Sequence, residues 1–166
     1  GNSKTGTGQG SAGTNNTPQP STDVSSTIQF GNPRSLDFDV TDDEVAISDT
    51  TDPTAYTISA WVKADDNTSV SIFVRTDSSG PTVSWSHQLR ITSASNFEHY
   101  FYDGVGKSVT GSTTVQTGTW YHVAAVATNS GNARLYVNGT EEGTAASVGT
   151  LWADGDRYRI GSNSGN

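Results

Sequence analysis

The 166-residue chain has the length of one domain, a low hydrophobic fraction of 31% and a formal net charge of −8. This acidity, and the absence of any Lys/Arg run, argues against nucleic acid and anionic membrane surfaces as partners, because both attract clustered cations. The chain has no cysteine, which excludes disulfide scaffolds, thiol catalysis and cysteine-ligated zinc. It also has no apolar run near the roughly 20 residues that membrane insertion requires.

The first 26 residues differ in composition from the rest of the chain. Gly, Ser, Thr, Asn and Gln dominate them, and large apolar side chains are almost absent. Such a segment cannot bury enough surface to offset the entropy lost on ordering. We therefore expect residues 1–26 to form a flexible arm or linker and residues 27–166 to form a β-sandwich domain.

Two-residue alternation of apolar and polar side chains recurs along the chain, in short segments bounded by Gly, Pro, Asn, Asp and Ser. In chain order the predicted strands are 35–39, 44–48, 56–62, 70–75, 87–92, 97–102, 119–127, 133–137 and 157–160. Asn138-Gly139 predicts a type I′ hairpin turn, since both of its central residues need positive φ. About nine or ten strands at this spacing predict an all-β fold, a two-sheet antiparallel β-sandwich of the jelly-roll type.

Three segments carry a resemblance to a known family: SLDFDVTDDEVAI with YTISAWVKA, then GTWYHVAAVATNSGNARLYVNGTEEG, and last YRIGSNSG. They resemble the laminin-G-like jelly rolls of the concanavalin-A-like superfamily, including the pentraxin-related modules of bacterial and phage surface proteins. The Trp-x-His-Val-Ala strand followed by Leu-Tyr-Val-Asn-Gly is the most specific part. The resemblance implies a non-catalytic module on a secreted, cell-surface or virion protein.

The chain departs from this family pattern in two places. Phe38-Asp39-Val40 stands where the family usually has Phe-Asp-Gly, and the family's closing strand, which pairs beside the first strand, has no counterpart before Asn166. An uncovered edge exposes unpaired backbone groups and invites pairing. Three explanations stay open: a fragment of a longer protein, a strand donated by another chain, or a gap filled by the segment around Ile28 to Phe30. Strand donation would make the protein a homo-oligomer or an assembly module.

An acidic cluster lies in the strand-turn-strand region of the first two predicted strands. Its members are Asp37, Asp39, Asp42, Asp43, Glu44, Asp49 and Asp52. Hard oxygen ligands at this density suit calcium, and modules of the resembled family often bind it. Calcium (Ca2+) is therefore a candidate cofactor, with Asp39, Asp42 and Asp43 as its predicted ligands. The alternative is a set of solvated loop carboxylates that keep the protein soluble and protect strand ends.

The same cluster contains a carboxylate spacing found in glycoside hydrolases of the concanavalin-A-like class. Asp37-x-Asp39-x-x-Asp42 matches their Glu-x-Asp-x-x-Glu motif in spacing only. Such enzymes need an acid and a base that flank the scissile bond. Both outer positions are Asp here and Asp42-Asp43 is typical of a turn, so no catalytic residue is assigned.

The aromatic residues divide into two predicted groups. Trp61 and Trp120 belong to strands of the family pattern and are interpreted as large core residues. The predicted ligand-binding residues lie near loops or opposite the apolar set and would stack against sugars: Trp85, Tyr100, Tyr102 and Trp152. His122 is interpreted as structural, because no nucleophile motif accompanies it.

The leading functional prediction is thus a non-catalytic recognition module for a glycan or surface polysaccharide, with calcium as a candidate cofactor. A structural or assembly module of a fibre, virion or surface layer is the alternative. A glycoside hydrolase is the third hypothesis.

Overall fold

The computed structural model describes residues 35–38, 44–48, 51–67, 69–77, 84–152 and 157–161. The chain divides at Asp37/Phe38 into two units, and every strand below belongs to the second. The strands are β1 (Val45–Ser48), β2 (Ala55–Lys63), β3 (Val70–Asp77), β4 (Ser84–Ile91), β5 (Asn96–Tyr102), β6 (Gly106–Thr114), β7 (Trp120–Thr128), β8 (Asn132–Val137), β9 (Thr140–Ser147) and β10 (Arg157–Ile160). Within the described ranges no helix is long and apolar enough to cross a membrane.

The ten strands form two sheets in which every pairing is antiparallel. One sheet has the order β1-β10-β3-β4-β5-β6 and the other the order β2-β7-β8-β9. This arrangement confirms the predicted all-β, two-sheet fold. The two sheets bury a shared apolar layer, as sandwiches do.

The core between the sheets follows the period-two alternation of the strands. Along β7, Tyr121, Val123 and Ala125 are buried, while the residues between them lie on the outer face. Phe97 and Phe101 of β5 meet this layer from the six-stranded sheet. A register slip of one residue would turn these side chains to water, so the alternation specifies the register.

The predicted hairpin turn is confirmed at Asn138-Gly139. Both residues have positive φ, 50° and 83°. The backbone N–H of Asn138 donates to the carbonyl oxygen of His122 at 2.7 Å, and the N–H of His122 donates to Asn138 Oδ1 at 2.9 Å. The turn therefore specifies the β8–β9 hairpin, and its hydrogen bonds to His122 connect the hairpin to β7.

Strand prediction was wrong at three places. The described residues 35–38 form no strand, and Leu36 is exposed. Strands β6 and β9 were not predicted, because Gly, Ser and Thr dominate their sequences and give no apolar alternation. The predicted arm (1–26) and the segment Ile28 to Phe30 lie outside the described residues.

Small residues in β6 and β9 have a structural reason, because the two sheets approach one another there. A Cβ at Gly143 would lie 2.4 Å from the carbonyl oxygen of Thr110. The neighbouring Glu142 reaches across: Oε2 accepts the N–H groups of Ser112 and Thr113, each at 2.9 Å. Backbone groups of the outermost strand of the six-stranded sheet are thus bonded without a further strand.

Candidate functional site

Three of the four predicted sugar-stacking residues lie together at one end of the six-stranded sheet. Tyr100 and Tyr102 are two residues apart on β5, so both project from its outer face. The rings of Tyr102 and Trp152 are 5.5 Å apart in an edge-to-face arrangement, and the N–H of Trp152 donates to the carbonyl oxygen of Tyr102 at 3.1 Å. We call Tyr100, Tyr102 and Trp152 the Tyr102–Trp152 surface. Trp85 lies on β4 opposite Thr76 of β3 and is 38% exposed.

A glycine leaves room for the Tyr100 ring. Gly106 of β6 pairs with Tyr102, and a Cβ there would lie 2.8 Å from Tyr100 Oη. The ring of Tyr100 therefore lies over the bare backbone of its neighbour strand. The pKa of Tyr100 is raised, first by partial burial and next by the nearby Tyr102, against the opposing charge of Arg90. Tyr100 and Tyr102 are thus close neighbours on one surface.

Asp103 and Lys107 hold the segment that carries Trp152. Asp103 Oδ2 accepts the Lys107 ammonium at 2.7 Å and the Gly149 N–H at 2.6 Å, and Lys107 Nζ also donates to the Ser147 carbonyl oxygen at 3.0 Å. Burial raises the pKa of Asp103, but the hydrogen bonds from Lys107 and Gly149 and the Lys107 charge together bring it below its ordinary value. The carboxylate is charged at neutral pH and fastens residues 147–152 to the β5–β6 turn. Sequence reasoning missed both residues.

Polar side chains continue the outer face beside the aromatic rings. Arg90 Nε donates to Glu98 Oε1 at 2.7 Å, and Thr110 Oγ1 donates to Glu98 Oε2 at 3.0 Å. The Arg90 guanidinium lies 5.9 Å from the centre of the Tyr100 ring. Both oxygens of Glu98 are engaged, so this carboxylate orders the polar groups beside the aromatic surface.

The predicted calcium ligands Asp39, Asp42 and Asp43 lie outside the described residues. Among the residues that the structure does describe, no group of three or more His, Asp or Glu side chains could hold a metal ion. Two other members of the acidic cluster are in ion pairs. Asp52 Oδ1 lies 3.2 Å from Arg75 Nη2, and Glu44 pairs with Arg159.

Placing Trp61 and Trp120 in the core was wrong. Trp61 is 67% exposed and Trp120 is 48% exposed, both on the outer face of the four-stranded sheet. Their strands bury the alternate residues instead, including Ile58 of β2 and Tyr121 of β7. Both tryptophans thus alternate with the buried residues of their strands and face outward.

Two histidines lie in the core between the sheets. Tyr56 Oη bonds His99 Nε2 at 2.8 Å, and His99 Nδ1 bonds the Arg134 carbonyl oxygen at 3.1 Å. The carbonyl oxygen can only accept, so Nδ1 carries the proton and the Tyr56 hydroxyl donates to Nε2. The Tyr56 ring stacks on His87 at 4.1 Å. Burial lowers the pKa of His87 to about 3, and the charges of Arg75 and His99 contribute to this shift. Burial also lowers the pKa of His99 to about 4, although its hydrogen bond to the Arg134 carbonyl oxygen acts in the opposite direction.

Comparison with known proteins agrees with this architecture. The Laminin_G_3 family model, described as the concanavalin A-like lectin/glucanases superfamily, matches residues 39–166. The mouse laminin alpha1 chain, domains LG4-5, superposes with a TM-score of 0.55 at 13% identity, over 70% of this chain and 31% of that chain. The resemblance to laminin-G-like jelly rolls is confirmed.

Two further solved structures share the fold. The botulinum neurotoxin serotype D ligand binding domain, in complex with N-acetylneuraminic acid, has a TM-score of 0.53 at 18% identity, over 72% of this chain and 32% of that chain. A heptameric SAP-like pentraxin from Limulus polyphemus has a TM-score of 0.51 at 20% identity, over 70% of this chain and 56% of that chain. The chain spans about a third of the laminin and toxin chains. A search of curated proteins gives no match.

Proposed function

Because the chain belongs to the concanavalin A-like lectin/glucanases superfamily, we propose that it is a non-catalytic recognition module that binds a glycan at the Tyr102–Trp152 surface. The observation that carries the proposal is the paired Tyr102 and Trp152 rings, 5.5 Å apart on the outer face of β5. The comparison with the neurotoxin domain in complex with N-acetylneuraminic acid supports the class of ligand. A secreted, cell-surface or virion protein is the proposed setting.

Recognition would combine stacking with a few hydrogen bonds. The electron-rich faces of aromatic rings attract the C–H groups of a sugar, which carry partial positive charge. Ser108 and Thr110 of β6 are exposed beside Tyr100 and Glu98 and would bond sugar hydroxyls. The Asp103–Lys107 pair contributes by holding residues 147–152, and with them Trp152, in place before binding. Such a site binds weakly alone and gains avidity from repeated copies.

Alanine substitution of the paired rings tests this proposal. We expect Trp152→Ala and Tyr102→Ala each to weaken retention on a glycan array by at least about tenfold, because aromatic anchors carry much of the binding energy at such sites. Tyr136→Ala is the matched control, since it removes a partly exposed aromatic ring from strand β8 of the other sheet. Unchanged retention in both ring variants, with melting temperatures near that of the parent, would refute the site.

Calcium assistance is part of the proposal and has its own test. An ion held by Asp39, Asp42 and Asp43 would stabilise the folded state by mass action and raise the melting temperature. We expect calorimetry in excess calcium to give a higher melting temperature than calorimetry with a chelator. Equal melting temperatures would remove calcium from the proposal.

A second candidate function, assembly by strand addition, has one observation in its favour. Within the described strand order, β2 is the outermost strand of the four-stranded sheet. Its inward residues Ala60 and Val62 are only partly buried, whereas Val123 and Ala125 of neighbouring β7 are fully buried. A strand added beside β2 would cover them. Sedimentation velocity at rising concentration tests this function, and a single monomer species throughout would refute self-assembly.

A further inference from the structure

The outer face of the four-stranded sheet carries a second pair of aromatic rings. Cross-strand register places Trp61 opposite His122 and Lys63 opposite Trp120. The two tryptophans are therefore diagonal neighbours on one face, with Cα atoms about 7–8 Å apart. Trp61 is 67% exposed and Trp120 is 48% exposed. A contiguous exposed aromatic area on a small domain marks an interaction surface.

Polar groups lie directly beside these rings. Ser59 Oγ and His122 Nε2 bond one another at 2.9 Å, and the His122 ring lies 5.4 Å from the Trp61 ring. Lys63 Nζ lies 5.9 Å from the centre of the Trp120 ring. The Ser59 hydroxyl and the second nitrogen of His122 keep hydrogen-bonding capacity beyond their mutual bond. The face thus alternates apolar rings with hydroxyl, imidazole and ammonium groups.

We propose that Ser59, Trp61, Lys63, Trp120 and His122 form a second glycan-binding surface, which takes a neutral polysaccharide chain across the two indoles. This Trp61–Trp120 surface lies on the sheet opposite to that of the Tyr102–Trp152 surface. The inference shares only the class of ligand with the function proposed above. It rests on different residues, so either surface can fail without the other.

The exposed area argues against a second copy of the chain as the occupant. Together the two indoles expose on the order of 200–300 Å², whereas a stable dimer buries about 800 Å² on each partner. Each copy also carries a net charge of −8, so two copies repel one another. Two aromatic rings on one sheet face match the size of a few sugar residues of an extended polysaccharide better than they match the area of a protein interface.

Charge also selects a neutral polymer over an acidic one. The protein's overall negative field repels polyanions. Lys63 is the cation that lies against the aromatic pair, and the nearest cation along β8, Arg134, is engaged by both oxygens of Glu141 at 2.6 and 2.8 Å. A neutral polysaccharide needs only stacking and hydroxyl contacts, and the surface supplies both.

Affinity electrophoresis through gels that contain hydroxyethyl cellulose, xylan or glucomannan tests the inference, with alginate as the acidic comparison. We expect at least one neutral polymer to retard the parent protein. Trp61→Ala and Trp120→Ala should each weaken that retardation by about tenfold or more, as loss of an aromatic anchor does. Trp61→Phe should retain part of it. Thr144→Ala, at an exposed position of β9, is the matched control, and melting temperatures verify that each variant folds.

The outcomes separate the two surfaces. Retardation lost in Trp61→Ala and Trp120→Ala but kept in Trp152→Ala supports the inference, even if the Tyr102–Trp152 surface binds nothing. Unchanged retardation in both Trp61→Ala and Trp120→Ala overturns it, whatever Trp152→Ala does. Absence of retardation of the parent by all three neutral polymers overturns it as well. So does dimerisation that Trp61→Ala abolishes, because a second copy would then be the occupant.

Discussion

At the scale of single residues, Tyr56 links the two sheets through hydrogen bonding and stacking. Tyr56 belongs to β2 of the four-stranded sheet, and both of its partners belong to the six-stranded sheet. Its hydroxyl donates to His99 and its ring stacks on His87. Both histidines are buried, so their ring nitrogens depend on protein partners. Burial raises the pKa of Tyr56, which keeps the hydroxyl protonated as a donor.

Removing that hydroxyl should destabilise the protein. Tyr56→Phe leaves His99 Nε2 buried without its partner, and we expect the free energy of unfolding to fall by about 1–3 kcal/mol. Tyr136→Phe is the matched control, because its hydroxyl makes only a 3.4 Å surface contact with Glu141. Urea denaturation measures both. Equal losses in the two variants would contradict the role assigned to the buried bond.

Alanine substitutions at two glycines distinguish the cost of backbone strain from the cost of a steric clash. Gly143 and Gly118 have nearly the same φ, 73° and 72°, but a Cβ meets the Thr110 carbonyl oxygen at 2.4 Å only in Gly143. Gly118→Ala should therefore cost about 1 kcal/mol of unfolding free energy from the left-handed backbone alone. Gly143→Ala should cost at least about 3 kcal/mol, since strand β6 must move as well. Comparable losses in urea denaturation would show that the two sheets approach less closely there.

At the scale of elements, Glu142 of β9 protects the outermost strand of the six-stranded sheet. It supplies acceptors for the N–H groups of Ser112 and Thr113, which the described strands leave unpaired. We expect Glu142→Ala to speed hydrogen exchange of these two amides while the amides of β7 keep their protection. Glu141→Ala, which removes a surface partner of Arg134, is the control. Faster exchange in the control alone, or no change in Glu142→Ala, would contradict the edge-protecting role.

How far the sequence predicts an element depends on where that element gets its stability. Strand β7 shows the alternation of a half-buried strand and was predicted within one residue. Strands β6 and β9 consist largely of Gly, Ser, Thr and Glu, and they form because neighbouring strands supply the hydrogen bonds, which a single-sequence pattern does not show.

The candidate site was predictable only in part for a related reason. The aromatic residues of β5 are visible in the sequence, but the hydrogen bond that positions the segment of Trp152 joins Asp103 to Gly149, 46 residues away. Trp61 shows the converse: it alternates with the buried Ile58 side of β2, so its exposure follows from the local pattern, whereas the family pattern suggested a core position. Local patterns therefore specify which face a residue occupies, whereas the partners in a site depend on contacts between distant segments.

At the scale of the whole molecule, the two buried histidines couple folding to pH. In the unfolded chain they titrate near pH 6.5, whereas in the folded protein their pKa values are about 3 for His87 and about 4 for His99. The unfolded state therefore binds more protons between those values, so the folded state is fully stabilised above pH 6.5 and loses stability as pH falls towards 4. Arg75, Tyr56, Tyr158 and Phe73 surround this pair, and the positive Arg75 makes a second positive charge more costly.

We expect the free energy of unfolding to fall by a few kcal/mol between pH 7 and pH 4.5, since each unit of pKa shift corresponds to about 1.4 kcal/mol. Urea denaturation across this range measures the slope. His87→Phe keeps an aromatic ring against Tyr56 and removes one titrating group, so it should lessen the slope. A variant with the full parental slope would show that His87 does not contribute.

The placement of two aromatic surfaces on the outer sides of different sheets has a consequence for mixtures with long polymers. A molecule that is adhesive on both sides acts as a cross-linker even as a monomer. With both proposed surfaces binding polymer, small amounts of the protein would cross-link polymer chains into a network. A large excess would saturate each polymer chain with separate protein molecules, and the cross-links would be lost. Viscosity would then pass through a maximum as protein is added, and blocking either side alone would abolish that maximum.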